Sequence, residues 1–116
     1  MSLFSYPNGR EAPIKEILPG SAQVLYTAGD NGATIVGLRI AEVAAATPTV
    51  TLDVHDGSTA YELAHLRAFT AKETWNAITL DGVPVVLLPG ESLRATASAA
   101  NQLHATGVVI EPDQRA

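Results

Sequence analysis

Strict alternation of apolar and polar residues limits this chain more than any other feature of its sequence. Residues 48–55 read PTVTLDVH, which sets Val50, Leu52 and Val54 against Thr49, Thr51, Asp53 and His55. An extended strand turns successive side chains to opposite faces, whereas a helix gathers residues three and four apart, so this period of two specifies a strand with one buried face. Residues 33–44 (ATIVGLRIAEVA) repeat the pattern, with Val36, Leu38 and Ile40 on one side and Ile35, Arg39 and Ala41 on the other.

Further candidate strands lie at 23–27, 60–66, 73–80, 84–88, 92–98 and 102–111. Between them stand Gly29-Asp30-Asn31-Gly32, Asp56-Gly57-Ser58, Asp81-Gly82 and Pro89-Gly90-Glu91. These residues tolerate positive φ or preset φ near −65°, and they fit tight turns. On this reading Gly29 to Gly32 is a hairpin turn, and Val85 and Leu87 pair with Leu93, Ala95 and Ala97 across the Pro89-Gly90 turn. Helix is the weaker rival, and residues 61–72 (YELAHLRAFTAK) are the one window with helical composition, with Leu63, Leu66 and Phe69 at helix-like offsets. Seven or eight short strands at this spacing predict an all-β fold, an antiparallel β-sandwich of Ig-like or jelly-roll type.

Three zones follow from the same pass. Residues 1–20 hold Pro7, Pro13 and Pro19 and show no evident period, so they are expected to form an extended N-terminal arm. Residues 21–111 form the sandwich domain, and 112–116 a short polar tail. The arm carries Leu3, Phe4, Tyr6, Ile14, Ile17 and Leu18, apolar groups expected to serve as a protein interface, either docked on a neighbouring subunit or folded back over the arm's own sandwich.

Charge and composition remove several classes of function. Twelve acidic residues against seven basic give a net charge of −5, with Lys and Arg nowhere clustered. That pattern argues against gripping nucleic acid or an anionic membrane. Without cysteine there is neither a disulfide framework nor a thiolate site. The longest apolar stretch, residues 83–89, is too short to span a bilayer, and Met1-Ser2-Leu3 opens no charged-then-apolar leader; cytoplasmic synthesis without processing is the expectation.

Chemistry-bearing constellations are few. Asp53, His55 and Asp56 put two carboxylates and an imidazole near one another, but polar residues on a solvent face running into an Asp-Gly turn are the stronger reading, and no metal site is assigned. His65 and His104 match no metal spacing, and Ser92 in Gly90-Glu91-Ser92 lacks the second glycine of a nucleophile elbow. Gly29 to Gly32 is acidic, with no following Lys to cradle phosphate. The expectation is therefore a protein without catalytic residues or cofactor.

Tyr26-Thr27-Ala28-Gly29, the long strand at 34–44, the run Val86-Leu87-Leu88-Pro89-Gly90-Glu91-Ser92-Leu93 into small residues, and Thr106-Gly107-Val108-Val109-Ile110-Glu111 together resemble the small β-sandwich virion proteins of tailed bacteriophages. The resemblance spans about residues 23–111 and departs from the pattern at 61–75, which is longer and more charged. It implies a non-enzymatic structural subunit located in the virion and made in the host cytoplasm: a capsid-decorating, neck or tail-associated protein that assembles with other virion proteins and as a homo-oligomer, with no nucleic-acid or membrane partner. The alternative class is a carbohydrate-binding or adhesion module. Sugar platforms need exposed rings, and Tyr61, Phe69 and Trp75 are the aromatics available for one.

Overall fold

The computed structural model describes residues 9–112, which contain nine strands and no helix. They are β1 (Gly9–Ile17), β2 (Ala22–Thr27), β3 (Ala33–Glu42), β4 (Thr49–His55), β5 (Ala60–Ala68), β6 (Thr74–Ile78), β7 (Val85–Leu87), β8 (Ser92–Ala97) and β9 (Leu103–Pro112). One sheet runs β1-β9-β3-β6, with β7 also paired to β3; the other runs β2-β8-β4-β5, and every pairing is antiparallel.

The order has a simple origin. Strands pair in nested fashion, β4 with β5, β3 with β6 and β7, β2 with β8, and β1 with β9, so the chain is one long antiparallel ribbon whose tip is the turn at Asp56 to Thr59. Rolling that ribbon brings β3 against β9 and β4 against β8, which completes two facing sheets. This is the jelly-roll form of the β-sandwich. Every connection except β4–β5 and β6–β7 crosses from one sheet to the other.

Alternation on the central strands builds the core. Val50, Leu52 and Val54 of β4, Leu38 and Ile40 of β3, Leu93, Ala95 and Ala97 of β8 and Val109 of β9 meet between the sheets. In β3 a register shift between Ile35 and Gly37 interrupts the period, so that Ile35 joins this core as well and both Ile35 and Val36 are buried. Among the described residues Phe69 is the largest fully buried side chain, and the small Ala95 and Ala97 of β8 are enclosed with it.

Several sequence expectations need correction here. The strand count is nine because β1 lies in the stretch read as an arm: from Gly9 onward the chain is a sheet strand paired to β9 over its full length. Its alternation is real, with Ala12, Ile14, Glu16 and Leu18 turned inward and Glu11, Pro13, Lys15 and Ile17 exposed. Pro13 is tolerated because β1 is an edge strand, where a missing N–H faces solvent. The strand expected at 60–66 is present and runs over 60–68, so the rival helical turn at 61–72 is not formed. Gly29 to Gly32 is a β-turn, closed by Gly32 N–H donating to the Gly29 carbonyl at 3.1 Å, but it carries the chain between sheets and is not a hairpin. Likewise β7 pairs with β3 and β8 with β2 and β4, so the Pro89-Gly90 turn is a corner and its flanking strands do not pair. Turn residues reverse the chain; they do not choose its hydrogen-bonding partner.

Candidate assembly surfaces

Polar side chains that sequence alone leaves open as ligands are committed to the protein's own structure. Asp53, expected on a solvent face, is buried, and it accepts from Arg94 Nε at 2.9 Å across the β4–β8 pair. His55 Nδ1 accepts from the Gly57 N–H, while Asp56 accepts from the N–H groups of Ser58 and Thr59. The backbone donors of Thr59 and Ser58 hold the Asp56 carboxyl below the usual range. His55 and Asp56 therefore build the ribbon's tip, while Asp53 ties β4 to β8.

Glu42 ends β3 as a buried carboxylate. Burial pushes its pKa up, but the N–H groups of Lys72, Ala44 and Ala46 outweigh that and hold it below 4.5. One carboxylate thus ties the 43–47 loop to the β5–β6 connection. Beside that connection Arg67 of β5 lies 4.8 Å from the centres of both the Phe69 and Trp75 rings, which meet edge to face at 6.2 Å. Its guanidinium also donates to Glu73 at 2.9 Å, which, with the Thr70 N–H, lowers the Glu73 pKa. Phe69 is buried and Trp75 half-buried, so of the three aromatics available for a sugar platform Tyr61 alone is exposed.

On the opposite side, where β1 and β2 border the two sheets, Glu111 accepts from both Arg10 and the Tyr26 hydroxyl, and Gln23 donates to Glu16 at 3.0 Å. These bonds close that side of the sandwich.

Apolar side chains are left exposed where β6 and β7 form the far edge of the first sheet. Leu80 (50% exposed), Val83 (85%), Val86 (65%) and Leu88 (61%) occupy one short segment. β7 is only three residues long, so its register is simple: Val85 and Leu87 face inward opposite Ile35 and Ala33, and Val86 faces outward opposite Thr34. Together the four side chains offer roughly 150–300 Å² of apolar area. A second exposed set, Tyr61, Leu63 and Leu66, lies on β5, the edge of the other sheet, where two register shifts distort the pairing to β4. The outer face of the first sheet holds an open depression of about 300 Å³, floored by Gly37 and Gly107 and bordered by Arg39, Asn76 and Thr106.

The residues expected as an interface are distributed unevenly. Ile14 and Leu18 are fully enclosed in the protein's own core, which corrects their placement on a docking arm: both point inward from β1 and its exit. Ile17, one position out of phase, is exposed. Leu3, Phe4 and Tyr6 lie outside the described residues. The apolar edge around Val83, Val86 and Leu88 was missed, although its signal is legible: residues 82–90 contain no charged side chain.

No family model and no curated protein matches the chain. Among solved structures, a chain from the acid-stable capsid of Helicobacter pylori bacteriophage KHP30 superposes with a TM-score of 0.57 and 13% identity, over 91% of this chain and 88% of that one. This chain and a phage capsid chain share one fold. A pentameric capsid protein isolated from metagenomic phage sequences aligns at a TM-score of 0.48 and 16% identity, over 93% of this chain and 63% of the other. The present chain thus spans less than two thirds of that protein's length. A chain of Bacillus endospore appendages, described as disulfide-linked pili, aligns at a TM-score of 0.48 and 14% identity, over 98% of this chain and all of that one. Neither of these two weaker alignments bears on the argument that follows.

Proposed function

We propose that the chain is a non-enzymatic structural subunit of a tailed-phage virion, acting as a capsid-decorating, neck or tail-associated protein. It assembles with copies of itself and with other virion proteins, in the virion. The observation that carries this reading is the row of exposed aliphatic side chains at the β6–β7 edge, apolar surface that water penalises and a partner would cover. The fold shared with a phage capsid chain supports the same reading by analogy. Leu3, Phe4, Tyr6 and Ile17 are the proposed interface residues that remain once Ile14 and Leu18 are assigned to the core.

The test is the oligomeric state of the purified full chain, measured by native mass spectrometry and light scattering across a hundredfold range of concentration, with negative-stain microscopy of whatever forms. A defined ring, or a lattice growing with concentration, is expected. A chain that stays monomeric throughout and binds a glycan array would overturn the proposal in favour of a carbohydrate-binding module.

A further inference from the structure

We propose that the apolar edge formed by Val83, Val86 and Leu88 receives residues 1–8 of a second copy of this chain. The inference rests on the assembly reading above and names the contact that performs it.

Size selects the occupant first. A stable face-to-face interface buries about 800 Å² on each partner. With Leu80 beside it, the edge offers roughly 150–300 Å² of apolar side chain, less than the roughly 450 Å² of non-polar surface such an interface buries on each partner but suited to a short segment with a few large anchors. Residues 1–8 (MSLFSYPN) supply three in Leu3, Phe4 and Tyr6. Charge agrees, because those eight residues contain no side chain charged at neutral pH and Asp81 is the single one across 80–89.

Topology favours a neighbour's edge over the chain's own. Residues 1–8 join the sandwich at Gly9, where β1 pairs with the end of β9 at Pro112. In the first sheet β1 and β7 occupy opposite edges, separated by β9 and β3. The gap is three strand spacings, about 14 Å. Reaching its own edge would require the segment to double back across both strands and spend half of its extended length, roughly 26–29 Å, before any anchor engaged. Repeated from copy to copy, docking on a neighbour is a head-to-tail contact, so it closes into a ring or propagates as a lattice.

The chain has no cysteine, so two can be introduced as the sole thiols. The full-length double variant Phe4→Cys with Val86→Cys is oxidised at a concentration where the parent chain is assembled, then resolved by denaturing electrophoresis and peptide mapping. Disulfide-linked dimers and higher ladders through residues 4 and 86 are expected, reduced at least tenfold when Val83→Asp is added. Val83 is almost wholly exposed, so that third change should leave the circular dichroism and melting temperature unchanged. A 4–86 disulfide within single chains would overturn the proposal in favour of docking on the same copy. Assembled protein without the cross-link would overturn this contact while leaving the assembly reading intact, and a parent chain monomeric at every concentration would overturn both.

Discussion

Replacing Gly32 with alanine should reveal how tightly the two crossing turns at one end of the sandwich are fitted together. Gly32 has φ +72°, and a Cβ built on it falls 2.7 Å from the backbone carbonyl oxygen of Leu87, with the Pro89 ring 3.8 Å away. Real Cβ contacts do not fall under 3.0 Å, so the turn and β7 must separate by at least 0.3 Å. Neither can yield through a flexible side chain. Leu87 is paired to Ala33 at the start of β3, and the neighbouring corner is held by Ala28 N–H donating to Glu91 O at 2.9 Å and Gly90 N–H donating to Ala28 O at 3.1 Å. A left-handed backbone costs an alanine about 1–2 kcal/mol. Overpacking adds about 1–3 kcal/mol, and the stiffer unfolded chain returns about 0.4–1 kcal/mol. The expected net loss is about 3 kcal/mol, within a range of about 1–5 kcal/mol. Gly90→Ala is the control, because Gly90 has φ +84° at the same corner but open space where its Cβ would go. It should lose only the conformational part, about 1 kcal/mol. Urea unfolding of the parent and both variants, compared at constant m-value, separates the two contributions. If Gly32→Ala proves no more destabilising than Gly90→Ala, the close approach of the two turns is not a stabilising constraint and the reasoning fails.

Other consequences follow from single contacts. Leu52→Ala removes a fully buried side chain between the sheets and should cost about 2–5 kcal/mol; a loss below about half a kcal/mol in the same urea assay would remove Leu52 from the core. Arg94→Ala strips the partner from buried Asp53 and should destabilise by about 2–3 kcal/mol at neutral pH, whereas the double variant with Asp53→Ala should recover part of that loss. Glu42, Asp56 and Glu73 have pKa values lowered by folding, so the stability they supply is complete above their ordinary values of 4.5, 3.8 and 4.5 and disappears as pH falls through the lower folded values. Thermal melts below about pH 4.5 should show that decline, and Glu42→Gln should flatten it; an unchanged profile would remove Glu42 from the linkage. Chelation of divalent cations should leave the melting temperature unmoved, since Asp53, His55 and Asp56 are engaged with Arg94 and the turn backbone, and a fall of several degrees would restore a metal site there.

How far the fold was readable depends on how far local pattern and long-range pairing agree. The alternation in 48–55 placed Val50, Leu52 and Val54 inside, where they are, because a central strand between two sheets leaves no other home for a regular apolar face. β1 was hidden by Pro13 and by the charges at Glu11 and Lys15, which fill the exposed phase of an edge strand and mask the inward set of Ala12, Ile14 and Leu18. Asp53 was misplaced for the opposite reason: its phase is the outer one, yet the cross-strand neighbour Arg94 covers and pairs it, and no local rule names a residue 41 positions away.

The same division holds for function. Sequence by itself determined that the chain makes strands and turns, that it carries no thiol and that its net charge is −5, because these depend on residue identity and on periods no longer than a strand. Tertiary structure alone decided which strands meet. The Asp-Gly and Pro-Gly turns look alike in sequence, but Asp56-Gly57 joins paired strands while Pro89-Gly90 carries the chain to the other sheet, and the difference lies in the rolling of the ribbon. That rolling drew Ile14 and Leu18 into the core and left Val83, Val86 and Leu88 facing water. Which apolar residues are spent on folding and which remain for a partner depends on contacts between residues far apart in the chain, and no local period records them.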